Sequence, residues 1–121
     1  MSIPVSLTEL REVAAAFGST PYLLSVSSDA TPHATSVMVA WSGDLLVAGV
    51  GRRSGANVER NDQIVLLWPA PRPGDHALIV DGWADLRPAT AGGMELVIRP
   101  ARAVIHVTRE APAEDGPKPP G

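Results

Sequence analysis

The sequence predicts a mainly β, α+β chain: a small antiparallel barrel with one helix at its N-terminus and a second, short helix inserted after the third strand. Three observations lead there. Runs of β-branched and aliphatic residues recur about every ten residues between Gly, Pro, Asp and Ser turns. The early strands are joined by turns too short for a crossover helix, which excludes a parallel sheet. And 121 residues with 45% hydrophobic content suffice for one domain and its core without staples.

From Pro4 to Phe17 the apolar residues Leu7, Leu10, Val13, Ala14 and Phe17 recur at spacings of three and four, the stripe of an amphipathic helix. Ser6 with Glu9 reads as a capping box, and Gly18 occupies the left-handed position that ends a helix. Strands are expected at Tyr22–Ser27, His33–Trp41 and Leu45–Val50, with turns at Asp29–Pro32 and Ser42–Asp44. A short helix is expected from Gly55 to Arg60, with Ser54 as its cap. Ile64–Trp68 is almost continuously apolar, so this fourth strand should be central with both faces covered. Three prolines make Pro69–Asp75 a loop, and His76–Leu86 a fifth strand with Gly82 as a bulge or close-approach point. Pro88–Met94 is a connection with room for a helical turn. Glu95–Ile98 and Ala103–Thr108 form a last strand, or a pair interrupted at Pro100. Residues 1–109 then form the domain. Residues 110–121, with four prolines among acidic neighbours, are expected to be a disordered tail.

Composition removes several chemistries. Without cysteine there is no disulfide, thiolate zinc site, cysteine-ligated iron–sulfur cluster or cysteine nucleophile. The only lysine, Lys118, lies in the tail, which removes Schiff-base chemistry from the folded part. His33, His76 and His106 stand at unrelated spacings, so no metal site is expected, and no Gly-x-Ser-x-Gly elbow is present. Ten basic against thirteen acidic residues, the basic ones scattered, give no footprint for nucleic acid. No leader pattern and no spanning apolar run is visible, so the expectation is a cytoplasmic chain without membrane contact.

The informative segment is Val50–Asn57. Here Arg52, Arg53 and Ser54 precede the short helix, and three arginines against Glu59 give Arg52–Arg60 a charge of +2 in a chain of net −3. A helix N-terminus offers free amides and partial positive charge, and the arginine fork matches a phosphate. Two readings stay open: an anion site, or an ordinary capped helix with two solvated arginines. Gly49-Val50-Gly51 before a helix imitates a dinucleotide fingerprint, but the third glycine falls at Gly55, one residue late, and the helix is too short for a crossover. Trp41, Trp68 and Trp83 fall in strands, where core or subunit contact is the ordinary use.

Taken in order, Thr20–Val26, Asp29–Trp41 and Leu45–Pro69, with the Arg-Ser-x-x-Asn passage at Arg53–Asn57, resemble the FMN-binding split-barrel family, the pyridoxamine 5′-phosphate oxidase-like proteins. The resemblance covers about Thr20–Val107. It implies a six-stranded antiparallel split β-barrel, a homodimer, and FMN sites at the dimer interface, with a deazaflavin coenzyme as the alternative cofactor. It further implies that the flavin ring runs beside Thr35, Ser36, Val37 and Met38 and near Ala48 and Gly49. The phosphate falls on Arg52, Arg53 and Ser54, with Asn57 one turn on. Catalytic residues are not assigned. Ser54 and Ala40 stand where oxidases of the family carry lysines, and the C-terminal segment completing the vitamin-processing site is missing, so a true pyridoxamine 5′-phosphate oxidase is not expected. The implied function is a flavin-dependent oxidoreductase transferring hydride to or from a small molecule. The alternatives are a flavin- or deazaflavin-binding dimer without turnover and a structural dimer with a vestigial phosphate loop.

Overall fold

The computed structural model describes residues 2–107. Eight strands and two helices follow in the order β1 (Ser2–Val5), α1 (Leu7–Ala15), β2 (Tyr22–Val26), β3 (Pro32–Ser36), β4 (Val39–Ser42), β5 (Leu45–Val50), α2 (Arg52–Arg60), β6 (Gln63–Trp68), β7 (His76–Pro88) and β8 (Met94–Val107). All pairings are antiparallel and run β3-β2-β6-β7-β8-β5-β4, with β1 added beside β8. The two ends of this path, β3 and β4, are consecutive in the chain and separated only by Val37 and Met38. A single bent segment thus joins both ends of the sheet and curls it into a barrel that stays open between them.

That bend explains one difference from the sequence reading. The expected strand His33–Trp41 is two strands, because its first half pairs with β2 (Ser36 opposite Tyr22) and its second with β5 (Val39 opposite Ala48). Val37 N–H to Pro21 O at 3.0 Å and Val39 N–H to Ser19 O at 2.8 Å pin the corner. The second difference is at the N-terminus: the helix starts at Leu7, directly after the expected Ser6 cap, but a strand absent from the sequence reading precedes it. Ser2–Val5 form β1, opposite Ala103–His106, so that β8 keeps a partner past the end of β5. The strand count is therefore eight, not six. The third is α2, which starts at Arg52 rather than Gly55, so Ser54 is a residue of the first turn and Gly51 is the cap.

Smaller differences have local causes. Ser6 is the N-cap of α1, but its hydroxyl meets Glu9 Oε1 (3.1 Å) and Thr8 Oγ1 (3.2 Å) instead of a backbone amide, so the expected reciprocal box does not close. Gly18 does adopt φ +97°. The last strand is continuous through Pro100. A register shift opposite Asp81 and Gly82 leaves Ala101 as the extra residue, so the proline sits at a bulge. Residues 89–93 form a glycine turn closed by Ala89 N–H to Gly93 O, with no helical turn. Gly82 is a close-approach point as expected: a Cβ there would stand 2.8 Å from the Arg99 carbonyl oxygen. The expected tail, residues 110–121, and the end of the expected last strand, Thr108, lie outside the described residues.

The core is the barrel interior, lined by alternate residues such as Leu23, Leu46, Leu66, Leu78, Leu96 and Ile98. Leu10 and Ala14 of α1 join it, which is why the helix shows a stripe. Trp68 is 2% exposed and its indole N–H donates to Gly18 O at 2.9 Å, tying β6 to the end of α1. β6 is central, between β2 and β7. Its outer residues Val65 and Leu67, however, are only half-buried, because among the described residues no second layer covers that face.

Candidate functional site

α2 forms because Gly51, extended at φ −84° and ψ −176°, turns the chain out of β5, and the next nine residues bury one face. Ser54, Gly55, Asn57 and Val58 are the buried face. Gly55 lies against Leu86, where a Cβ would be 3.4 Å from the leucine methyl group, and Asn57 Nδ2 donates to the buried Ser25 Oγ of β2 at 3.0 Å. Arg52 and Arg53 stay on the exposed side. The first intrahelical bond is Gly55 N–H to Gly51 O at 3.1 Å, which leaves the amides of Arg52, Arg53 and Ser54 without an intrahelical acceptor. Among the described residues neither arginine forms an ion pair; the two pairs present are Arg72–Asp75 and Arg87–Glu95. The helix end thus combines free amides, partial positive charge and two free guanidiniums, an arrangement suited to a phosphate.

The strands bring the other expected residues to the same end. Val39 is opposite Ala48 at the last rung of the β4–β5 pair, so Met38 and Gly49 come next, and α2 opens two residues after Val50. Met38 is 70% exposed and Gly49 has nothing within 4 Å of where a Cβ would stand, which leaves an uncovered strip of backbone at this corner. Thr35 is half-buried and Ser36 exposed on the edge strand β3. Val37 and Ala48 turn into the core, so only their main chain can face a ligand. The side chains of Ser54 and Asn57 also belong to the protein side of α2, with the Asn57 amide committed to Ser25.

One neighbour escapes the sequence reading. Tyr22 is opposite Ser36, on the same face, and is 44% exposed. Its position in an alternating strand marks it only as outward, and the cross-strand partner is known once β2 and β3 are in register. Trp83 is likewise exposed, at the rim of a 530 Å³ groove over β2, β6 and β7 that includes Leu24, Val65 and Asp81. The three histidines do not meet: His33 is opposite Ser25, His76 opposite Val107, and His106 Nδ1 is 3.1 Å from Ser2 Oγ. Among the described residues no cluster of three His, Asp or Glu could hold a metal, and no helix is long and apolar enough to cross a membrane. Asp29, in the β2–β3 turn, is lowered to about 2 by the Ser27 hydroxyl first, then by the Thr31 hydroxyl and amide.

No family model matches the chain, and no curated protein matches it either. Solved structures do. A candidate pyridoxamine 5′-phosphate oxidase of Listeria innocua superimposes with TM-score 0.66 at 21% identity, over 80% of this chain and 98% of that one. The chain has the split-barrel fold. An F420 reductase shares the fold at TM-score 0.58 and 20% identity, over 70% of this chain and 88% of that one. So does a FAD-binding protein of Mesorhizobium loti at TM-score 0.67 and 15% identity, over 87% and 95%. A heme-binding protein of Mycobacterium smegmatis has the same split barrel at TM-score 0.63 and 15% identity, over 84% of this chain and 54% of that one. The fold alone therefore does not choose the ligand, and the residues at the corner must.

Proposed function

We propose that this split barrel binds a flavin-type nucleotide, FMN or a deazaflavin coenzyme, and works as a homodimeric oxidoreductase on a small molecule. The observation that carries the reading is the first turn of α2, where Arg52 and Arg53 are exposed, unpaired among the described residues, and beside three free amides. A phosphate fits that donor set, and the uncovered backbone at Gly49 and the exposed Met38 leave room for a flat ring alongside. The F420 reductase and the FAD-binding protein of the same fold support the ligand class. When bound, the cofactor supplies hydride transfer. The chain's part is to hold the phosphate with Arg52, Arg53 and the helix amides, and to orient the ring through the hydroxyls of Thr35 and Ser36 and the main chain of Val37, Met38 and Ala48. Ser54 contributes its amide, and Asn57 keeps α2 seated on β2.

What supports the homodimer is the outer sheet face, where Tyr22 and Trp83 are exposed and Val65, Leu67 and Ile79 are half-buried, an apolar surface that a second copy would cover. The alternative, a cofactor-binding dimer without turnover, is favoured by Ala40 standing where oxidases of the resembled family carry a lysine for a substrate phosphate. Absorbance of the purified protein, before and after incubation with FMN or a deazaflavin coenzyme and removal of unbound cofactor, then bleaching by a reduced nicotinamide, separates the readings. Bleaching and reoxidation support the oxidoreductase, a stable flavin spectrum without bleaching supports the binding protein, and no flavin-type spectrum with either cofactor overturns both. Sedimentation at micromolar concentration giving only monomer would remove the dimer.

A further inference from the structure

A second concave site lies at the other end of the β4–β5 hairpin. A cleft of 820 Å³ opens between α1, the turn at Ser42–Leu45 and the β8 bulge, within the roughly 300–1,000 Å³ of small-molecule sites. It shares no residue with the α2 corner, and the length of β5 separates the two by about 17 Å. The apolar part of its lining is Leu7, Leu10, Trp41, Leu45 and Pro100, with Leu7 half exposed at 50%, and Thr8 and Ser42 add hydroxyls. Arg11 and Arg99 also line it, and among the described residues neither has an ion-pair partner. The Arg11 guanidinium is already held, 5.9 Å above the Trp41 ring and with Nη1 donating to Gly43 O at 3.4 Å. That leaves most of its five N–H donors unused in a fixed orientation, the condition for receiving a carboxylate with little further ordering. Asp44 lines the same cleft but pairs with neither arginine. Its charge leaves the cleft at +1, which favours a monoanion over a doubly charged phosphate.

We propose that this cleft binds a small amphipathic carboxylate, its head on Arg11 and Arg99 and its apolar tail against Trp41, Leu7 and Leu45. Trp41 is also the reporter. The test titrates the full-length protein with decanoate and decyl phosphate, each below its micelle concentration, and with decanol below its solubility limit, following tryptophan fluorescence and calorimetry. Decanoate should bind at least about tenfold more tightly than decanol, and Arg11→Gln and Arg99→Gln should each weaken it by about tenfold. Trp41→Phe should remove most of the fluorescence response while calorimetric binding persists, and saturating FMN should leave decanoate affinity unchanged. Equal binding of decanoate and decanol, or wild-type decanoate affinity in Arg99→Gln, overturns the proposal. Tighter binding of decyl phosphate overturns the monoanion assignment. If Arg11→Gln fails to fold, Arg99→Gln decides alone.

Discussion

Replacing Gly82 by alanine tests the bulge on which the long β7–β8 ribbon bends. Gly82 pairs with Ile64 on one side and Pro100 on the other, and its backbone needs no left-handed conformation, so alanine fits the local geometry. Space is the obstacle. The added Cβ would sit 2.8 Å from the Arg99 carbonyl oxygen and 3.3 Å from Ile98 Cγ2. The nearer atom is backbone, so β8 itself must retreat by about half an ångström where Leu96, Ile98 and Ala103 fill the core. Overpacking of this kind costs about 1–3 kcal/mol, against about 0.4–1 kcal/mol recovered from the stiffer unfolded chain. A net loss of roughly 1–2 kcal/mol should lower the melting temperature by about 4 °C per kcal/mol in a chain this size. Gly55→Ala is the control. There the neighbours are Leu86 methyl groups at 3.4 and 3.5 Å, which are in ordinary contact, and the helix gains up to about 1 kcal/mol of propensity. Thermal melts by circular dichroism should place Gly82→Ala below wild type and Gly55→Ala at or above it. A Gly82→Ala variant as stable as wild type would refute the steric argument and the bulge geometry with it.

Arg53→Ala should weaken FMN binding about ten- to a hundredfold while leaving riboflavin affinity unchanged, because only the phosphate loses a charge-assisted partner; flavin fluorescence titrations at fixed salt measure both, and equal loss for the two ligands would place Arg53 away from the phosphate. Trp68→Phe removes the indole donor to Gly18 O and part of a side chain that is 2% exposed, so a loss of about 2–3 kcal/mol is expected in denaturant unfolding, with α1 amides gaining hydrogen exchange first. Asp29 has its native pKa lowered from 3.8 to about 2, so the turn's ionised carboxylate contributes stability above about pH 4 that is lost as pH falls toward 2. Asp29→Asn should flatten melting temperature against pH in that window, and an unchanged slope would show that the hydrogen bonds to Ser27 and Thr31 do not hold in solution.

What was legible in the sequence is what short stretches encode by themselves. Leu45–Val50 is a strand bounded as expected, since turn residues and a β-rich run settle it locally. The stripe of α1 is legible because Leu10 and Ala14 reach the core with helical spacing, and Gly18 because only a left-handed residue belongs there. That Arg52 and Arg53 stand exposed at the start of a short helix is legible from the glycine and arginine run itself; that they hold a phosphate is the proposal made above. Three things came only from tertiary structure. Ser2–Val5 become a strand because β8, about a hundred residues later, offers an unpaired edge. His33–Trp41 breaks in two because barrel closure gives its halves different partners. Tyr22 beside Ser36, Asn57 on Ser25 and Arg11 over Trp41 meet only through register and packing. Local sequence encodes the energy of a turn or a periodic face, whereas a pairing partner depends on which distant edge remains free once the rest of the sheet has formed.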